Sequence, residues 1–158
     1  MSDPANEIRI RPMAASDLDH VLEIALSMPE APHWPRSAYL RALDPESLPR
    51  RISLVAESRA AGKVAGFAVA SVVAGQAELE SIVVASDAQR RGLGRRIFSI
   101  LIHELKRAGA ELLILEVRAS NAAALAFYRS LEFAETGRRS RYYIDPVEDA
   151  VLMALELG

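Results

Sequence analysis

The sequence contains no cysteine, and this absence excludes several kinds of functional site. Disulfide frameworks, thiolate zinc sites, iron–sulfur clusters and cysteine nucleophiles all require that residue. The three histidines do not have the spacing of metal ligands either, so we expect no metal site. A chain without cysteine also fits a reducing compartment, and we expect a cytoplasmic protein.

Long apolar runs and an excess of positive charge are also missing. No stretch reaches the ~18 consecutive apolar residues that indicate a membrane-spanning helix, and residues 1–7 lack the apolar core of a signal peptide. The 19 Lys and Arg residues against 21 Asp and Glu residues give a formal net charge of −2, whereas nucleic-acid-binding domains are usually basic. We therefore expect neither a membrane nor a nucleic acid as a partner, and no pattern indicates an oligomeric state.

The segments that are present alternate between strand-like and helix-like patterns. Ile8 to Arg11 alternates apolar and charged side chains as a half-buried strand does, and Ser16 and Asp19 predict the capped start of a helix after it. The apolar run from Leu112 to Leu115 predicts a strand covered on both faces. Along the chain these patterns give the order β-α-α-β-β-β-α-β-α-β-β. We expect an α/β (α+β) fold in a single domain over residues 1–158, with a mixed, mostly antiparallel sheet of about six or seven strands and about four helices.

Two glycines stand where a predicted strand passes into a predicted helix, in the segment Gln89-Arg90-Arg91-Gly92-Leu93-Gly94. Glycine lets the backbone approach a ligand closely, and the first turn of a helix presents unpaired N–H groups and a dipole that favour an anion. Arginines at positions 90, 91, 95 and 96 add positive charge where a helix ordinarily prefers acids. We interpret the segment as a phosphate or pyrophosphate site, the alternative being a tight turn before a solvated basic helix start. A dinucleotide fingerprint is disfavoured because Ile97 stands at the place of its third glycine.

The same segment resembles the Q/R-x-x-G-x-G/A motif with which the GNAT N-acetyltransferases bind acetyl-CoA. Further along, Leu115 to Ala124 (LEVRASNAAA) and Ala126 to Phe133 (AFYRSLEF) resemble one branch of that family, the ribosomal-protein alanine N-acetyltransferases (RimI). Tyr142-Tyr143 and Glu148 to Leu155 match the same branch. The likeness is specific from residue 79 to residue 157, and before that it extends only to the order of the elements.

The resemblance implies a sheet that opens as a wedge, with a bulge in the strand before the motif. It also implies which residues hold acetyl-CoA. The acetyl and pantetheine end would lie along the backbone of Ile82, Val83 and Val84. The pyrophosphate would be held by backbone amides of the turn, namely those of Arg90, Arg91, Gly92, Leu93, Gly94 and Arg95. Asn121 would contact the CoA chain, and from the residues alone it is equally suited to cap its helix.

Two side chains carry the chemistry that the resemblance implies, Glu116 as the general base and Tyr128 as the general acid. From the residues alone other interpretations stay open. Glu116 could pair with Arg118 at the end of its strand, and Tyr128 could be a core tyrosine with its hydroxyl at the rim. Glu78 and Glu80 are rival bases, because other branches of the family place the base on that earlier strand, or they are solvent-facing side chains.

The absence of a cysteine nucleophile predicts that an amine attacks the acetyl thioester directly in a ternary complex. The amine must be neutral, and at pH 7 this costs about 4–5 kcal/mol for lysine but about 1 kcal/mol for a protein α-amine. The resemblance implies the N-terminal alanine or serine of a small-subunit ribosomal protein as the acceptor. The alternatives are an acetyltransferase that acts on a small-molecule amine or antibiotic, and a non-catalytic acyl-CoA-binding module.

One departure from the family pattern lies at a predicted helix end. Family members usually have Leu-Gly-Phe where this chain has Leu131-Glu132-Phe133. That glycine commonly takes a left-handed conformation at a helix end, which would cost a glutamate about 1 kcal/mol. If the helix end keeps its usual geometry, we expect Glu132 to be strained.

Overall fold

The computed structural model describes residues 7–89 and 91–158, and these form one mixed sheet of seven strands with four α-helices. The strands are β1 (Ile8–Pro12), β2 (Arg50–Ser58), β3 (Lys63–Val73), β4 (Gln76–Val84), β5 (Leu112–Arg118), β6 (Ala134–Ile144) and β7 (Val147–Glu156). The helices are α1 (Leu18–Ser27), α2 (Arg36–Leu43), α3 (Leu93–Arg107) and α4 (Ala122–Ser130). This order confirms the expected α/β fold. None of the helices in the described part of the chain is long and apolar enough to span a membrane.

The sheet opens between β4 and β5. Its strand order is β1-β2-β3-β4-β5-β7-β6, in which β4 and β5 are parallel and the other neighbours are antiparallel. The parallel pair is in register only from Gln76 to Glu78, opposite Leu112 to Ile114, and the two strands then part. The wedge that the resemblance implied is therefore present.

A bulge lies on β4 just after its pairing with β5 ends. Val69 of β3 pairs with Ser81 and the following residue pairs with Leu79, so Glu80 is the extra residue. An extra residue bends the strand and reverses the faces to which the following side chains point. Leu79 accordingly packs in the core under α3, whereas Val83 packs in the core under α1. The expected bulge is thus confirmed.

Helices cover the two faces of the sheet unequally. α3 and α4 lie on one face and bury one side of β5, namely Leu113, Leu115 and Val117. α1 and α2 pack on the other face, over β2, β3 and β4. On that face the side chains of β5 are only half-buried, namely those of Leu112, Ile114 and Glu116. The expectation of a strand covered on both faces is wrong, and the less covered face carries the candidate base.

The start of α1 differs from the expected cap. Neither Ser16 nor Asp19 caps it, and Asp17 instead precedes the first helical residue. The Asp17 carboxylate accepts hydrogen bonds from the Ala14 amide (2.8 Å) and from the Arg11 guanidinium (2.8 and 2.7 Å). Donation from Arg11 holds the pKa of Asp17 below its usual value. Arg11 on β1 thus holds the Asp17 carboxylate at the residue before α1.

The helix α4 ends at a left-handed residue that is not glycine. Glu132 has φ +75°. The Phe133 amide donates to the Tyr128 carbonyl (3.1 Å) and the Glu132 amide donates to the Arg129 carbonyl (3.0 Å), the paired bonds of a Schellman helix end. The rings of Tyr128 and Phe133 also pack, with centroids 5.6 Å apart. The usual geometry is therefore kept with glutamate in place of glycine, and it helps to fix Tyr128.

We expect Glu132→Gly to raise the free energy of unfolding by about 1 kcal/mol, because glycine adopts a positive φ without the steric cost of a β-carbon. For a chain of this size the gain corresponds to a rise in Tm of about 2–4 °C, which thermal unfolding measures. Glu132→Ala is the matched control, since it removes the carboxylate but keeps the β-carbon. Equal stability of the Gly and Ala variants would contradict strain at this position.

Candidate functional site

Two adjoining cavities lie where the sheet opens. The first, about 460 Å³ and here called the wedge cavity, is bounded by β4, β5, α4 and residues 28–32 after α1. The second, about 510 Å³ and here called the helix-start cavity, lies between the end of β4, the start of α3 and α4. Five residues line both: Ile82, Val84, Gln89, Ala124 and Tyr128. A ligand that extended from one cavity to the other would therefore pass between β4 and α4.

Strand β4 turns one backbone edge toward the wedge cavity, because its pairing with β5 ends at Glu78. In an antiparallel ladder, residues bonded to the neighbouring strand alternate with residues whose backbone groups point away from it. The Ala85 amide donates to β3 at 2.8 Å, so the alternation directs Val83 to β3 as well. It directs the backbone groups of Ile82 and Val84 to the wedge. Two of the three backbone positions expected to bind the thioester end thus face the opening.

The Gln89 side chain joins the glycine turn to two other parts of the site. Its Nε2 donates to the Val84 carbonyl at 3.0 Å and lies 3.8 Å from Sδ of Met28. A carbonyl oxygen has two lone pairs, so this contact leaves Val84 able to accept a second hydrogen bond. Gln89 therefore links the turn to the open edge of β4 and to the segment after α1.

The glycine turn places the first turn of α3 against the helix-start cavity. Gly92 precedes the helix with φ +75°, and the first intrahelical bond among the described residues runs from the Arg96 amide to the Gly92 carbonyl (3.1 Å). The amides of Leu93, Gly94 and Arg95 come before that bond, and all three residues line the cavity. Such unpaired first-turn amides are suited to a phosphate.

Of the arginines at positions 91 and 95, Arg95 lines this cavity and Arg91 does not. Arg90 lies outside the described residues. Arg91 is exposed and lines a neighbouring cavity of about 570 Å³ instead. The Arg95 guanidinium turns toward α4, 3.4 Å from the Ser130 carbonyl. A phosphate in the helix-start cavity would therefore meet backbone amides first.

The two glycines serve different purposes. A β-carbon at Gly94 would lie 3.2 Å from Cζ of Phe127, whereas one at Gly92 would meet nothing within 4 Å. Gly94 is therefore required by the close packing of α3 on α4, and Gly92 by its positive φ. Both glycines also line the helix-start cavity, so the prediction that they allow a ligand close to the backbone stays a prediction.

Asn121 caps α4 from the wall of the wedge cavity. Its Oδ1 accepts a hydrogen bond from the Ala124 amide at 3.0 Å. The capping role is therefore confirmed. Because the cap uses only the side-chain oxygen, the Nδ2 group is left for a ligand.

Glu116 lies half-buried in the wall of the wedge cavity. Its Oε1 is 3.7 Å from the Arg139 guanidinium, and hydrogen bonding to its carboxylate raises the pKa of the Tyr142 phenol. Arg118 contacts Glu148 instead, at 3.7 Å. The alternative in which Glu116 pairs with Arg118 is therefore wrong.

The two rival carboxylates have different surroundings. Glu80 accepts from Nε of Arg51 at 3.1 and 3.3 Å, and both side chains are largely buried, so it is an ion-paired group rather than a solvent-facing one. Glu78 does not line the wedge cavity. Burial raises the pKa of Glu78, and so do the negative charges of Glu80 and Glu116. The geometry thus favours Glu116 for contact with a ligand in the wedge cavity.

Tyr128 stands between the two cavities on α4. The rings of Phe127 and Phe133 flank it, each with a centroid distance of 5.6 Å. Burial raises the pKa of Tyr128 to about 12, so the phenol keeps its proton at neutral pH and well into the alkaline range. The ring is packed as a core tyrosine, and its position also suits a proton donor.

Sequence reasoning missed the two arginines that balance the carboxylates. Arg51 comes from β2 and Arg139 from β6, and each reaches its partner on a distant part of the chain. Neither pair has a local signal such as a fixed spacing, since the contacts depend on how the strands are ordered in the sheet.

The residues present fit acetyl-CoA. The open edge of β4 can pair with amide groups of an extended chain, and the first-turn amides of α3 can hold a pyrophosphate. In residues 7–89 and 91–158, no group of three or more His, Asp or Glu side chains is arranged to hold a metal ion.

Comparison with known proteins gives a consistent result. Residues 18–133 match the model of the acetyltransferase (GNAT) family. The ribosomal protein bS18-alanine N-acetyltransferase of Escherichia coli is 51% identical over 99 residues, covering 61% of this chain and 67% of that protein. The N-alpha-acetyltransferase RimI of Mycobacterium tuberculosis is 36% identical over 141 residues, covering 87% and 84%. The crystal structure of the Escherichia coli ribosomal-protein alanine N-acetyltransferase matches with a TM-score of 0.80 at 37% identity, covering 96% of this chain and 94% of that one.

We expect stability to fall between about pH 10 and pH 12, and Tyr128→Phe to reduce that fall. The other three tyrosines contribute as well, because their pKa values are also raised. Because burial raises the pKa of Tyr128 from 10.0 to about 12, the folded protein binds the phenolic proton more tightly than the unfolded chain. The stabilisation that the protonated Tyr128 gives the folded state is therefore complete below pH 10, and it is lost as the pH rises through 12. Two pH units correspond to about 3 kcal/mol.

Urea unfolding of the wild type and the variant across this range measures the effect. Tyr142→Phe is the comparison, because the Tyr142 side chain is exposed and its pKa is raised by hydrogen bonding to Glu116 rather than mainly by burial, so we expect it to remove less of the fall. If Tyr128→Phe and the wild type lose stability in parallel, the phenol does not have the raised pKa.

Proposed function

The chain belongs to the GNAT family and is an acetyl-CoA-dependent N-acetyltransferase, and we propose that its acceptor is the N-terminal α-amine of a protein. The first candidate is the N-terminal alanine of a small-subunit ribosomal protein, because the Escherichia coli relative is named for the alanine of bS18. One observation carries the proposal. Glu116 on β5 and Tyr128 on α4 line the same cavity, on two sides of the opened sheet.

Acetyl-CoA supplies the acetyl group as a thioester when it is bound. On this chain, the backbone groups of Ile82 and Val84 would align the thioester end, and the amides of residues 93–95 would hold the pyrophosphate. Asn121 would position the CoA chain through Nδ2. Val83 and Gly92 would shape the edge and the turn from which these groups project.

Glu116 would act as the base that takes a proton from the amine, directly or through a water. Its carboxylate lines the wedge cavity, and its contact with Arg139 at 3.7 Å is too long for a strong hydrogen bond. The carboxylate therefore keeps lone pairs for an incoming N–H while a positive charge stays nearby. Glu80 is less suited, because two short contacts to Arg51 occupy it.

Tyr128 would donate a proton toward the departing sulfur. Its hydroxyl is protonated at neutral pH, and burial, which raises its pKa to about 12, extends this to alkaline pH. A thiolate formed in the same buried place is disfavoured for the same reason, so burial raises the proton affinity of both groups. The position of Tyr128 between the two cavities supports this role, because the pantetheine end would meet the acceptor there.

An α-amine demands less of this site than a lysine side chain. The α-amine has a pKa near 8, so a useful fraction is neutral at cellular pH, whereas the pKa of lysine is about 10.4. A single carboxylate can therefore deprotonate the α-amine more easily than the lysine side chain. Ribosomal proteins are made in the cytoplasm, so this acceptor also agrees with the cytoplasmic location expected from the sequence.

We expect the protein to acetylate a peptide that copies the N-terminus of the small-subunit ribosomal protein and begins with alanine, because an α-amine is easier to deprotonate than a lysine side chain. Release of CoA thiol and the peptide mass measure the reaction. The control is the same peptide with a blocked N-terminus and an internal lysine, tested beside a panel of small primary amines. Transfer to lysine or to small amines alone would favour a small-amine acetyltransferase. Binding of acetyl-CoA without transfer to any acceptor would favour a non-catalytic module.

We expect Glu116→Gln to lower kcat by at least ~100-fold, because a positioned base typically contributes about 10²–10⁴-fold. The dissociation constant of acetyl-CoA should stay nearly unchanged, since the substitution keeps the size of the side chain and leaves the β4 edge intact. Steady-state kinetics and calorimetry measure the two quantities. Glu78→Gln and Glu80→Gln remove carboxylates of the same size from the same cluster, and a larger loss of kcat at either would move the base to β4.

A further inference from the structure

Arg118 has an unusual set of contacts for the last residue of a strand. It lies two residues after Glu116, so the two side chains share the same face of β5. Its guanidinium does not turn to Glu116 but to the turn between β6 and β7. It donates to the carbonyl of Pro146 at 3.3 Å and to that of Asp145 at 3.5 Å. A half-buried guanidinium that spans two carbonyls uses the planar fork that lysine lacks.

Two further contacts complete the arrangement. The Arg118 guanidinium lies 3.7 Å from the Glu148 carboxylate on β7, and its central carbon is 4.2 Å from the centroid of the Tyr143 ring on β6. Arg118 therefore touches both strands of the β6–β7 hairpin as well as its turn. These contacts join the end of β5 to the tip of a hairpin that follows it in the chain.

Apolar burial holds the tip of that hairpin only weakly. β6 is the edge strand of the sheet, and its pairing with β7 is irregular between Arg139 and Tyr143. The last pair before the turn, Ile144 with Val147, is exposed on both sides, at 85% and 63%. Apolar burial thus contributes little at the tip, and the polar contacts of Arg118 take on a larger share of its stability.

The hairpin in turn forms part of the acceptor side of the site. Tyr143 and Arg118 both line the wedge cavity, and neither lines the helix-start cavity. The two groups that contact Glu116, Arg139 and Tyr142, belong to the same strand β6. A shift of the hairpin would therefore move the wall of the wedge cavity and the neighbours of Glu116, while the cofactor turn would stay in place.

We propose that Arg118 is a positioning residue for the acceptor: it clamps the β6–β7 hairpin to the end of β5 and thereby fixes Tyr143 as a wall of the wedge cavity. This inference rests on the proposed function in that the acceptor is a peptide that enters this cavity. Arg118 does not act on the reacting atoms. It sets the shape that a peptide acceptor meets.

The test compares Arg118→Met, Arg118→Lys and the control Arg138→Met. Methionine keeps much of the length and apolar bulk of the side chain and loses the charge and the fork. Lysine keeps the charge alone, and Arg138 is an exposed arginine of the same hairpin that pairs with Glu135 within its own strand at 2.9 Å. The readouts are the peptide KM, kcat, the dissociation constant of acetyl-CoA, and hydrogen exchange of residues 141–148.

With Arg118→Met we expect the peptide KM to rise about tenfold and hydrogen exchange at the hairpin tip to accelerate, because one positioned arginine commonly has an effect of this size on binding. The dissociation constant of acetyl-CoA should change less than about twofold, and Arg118→Lys should recover only part of the KM, because an ammonium cannot span two carbonyls. Arg138→Met should match the wild type in every readout.

Three outcomes would overturn the proposal. An unchanged peptide KM would show that the clamp does not shape the acceptor site. An equal loss of acetyl-CoA affinity would show that Arg118 serves the cofactor site. Full recovery of the peptide KM by Arg118→Lys would show that only the positive charge matters. Hydrogen exchange and acetyl-CoA binding need no acceptor, so they test the clamp even if no peptide is acetylated by the wild type. If Arg118→Met does not fold, the same readouts on Arg118→Lys decide, with intermediate changes expected.

Discussion

The parting of β4 from β5 is the constraint on which the site depends. The two parallel strands pair at only three positions and then separate, which leaves a backbone edge of β4 open toward a cavity. Backbone polar groups in a partly buried place need partners, so such an edge is suited to an extended ligand that carries amides of its own. The bulge at Glu80 accompanies the separation, because an extra residue bends β4 and changes which side chains face which helix layer.

The charges around the opening follow from the same separation. Glu78 and Glu80 on β4 and Glu116 on β5 are close enough for the charges of the other two to raise the pKa of Glu78. The two arginines that pair with Glu80 and Glu116 bind them differently. Arg51 makes short, largely buried contacts to Glu80, whereas Arg139 is more than half exposed and stands farther from its partner Glu116. A tightly bound carboxylate has structural value and few spare lone pairs, and a loosely balanced one retains the capacity to accept a proton from a ligand.

Two local structures hold the elements that carry the proposed catalytic groups Glu116 and Tyr128. The left-handed Glu132 lets α4 end in paired hydrogen bonds, and the adjoining Phe133 packs against the ring of Tyr128. A strained residue of this kind persists when its surroundings leave no alternative, and here they are the core under α3 and α4. At the other side of the site, Arg118 joins β5 to a hairpin that has little apolar burial at its tip. The end of α4 and the β6–β7 hairpin at the edge of the sheet are thereby fixed as walls of the site.

The sequence by itself determined the order of the elements, the glycine turn with its first-turn amides, and the residues that resemble a known family. These are local properties, because apolar periodicity, a positive φ and a helix start depend on residues a few positions apart. It did not determine that Asp17 rather than Ser16 or Asp19 would mark the start of α1, nor that Glu116 would meet Arg139 and not Arg118. Only the tertiary structure decided those pairings, because an ion pair between strands depends on sheet order, register and bulges, which bring together residues that no local pattern connects.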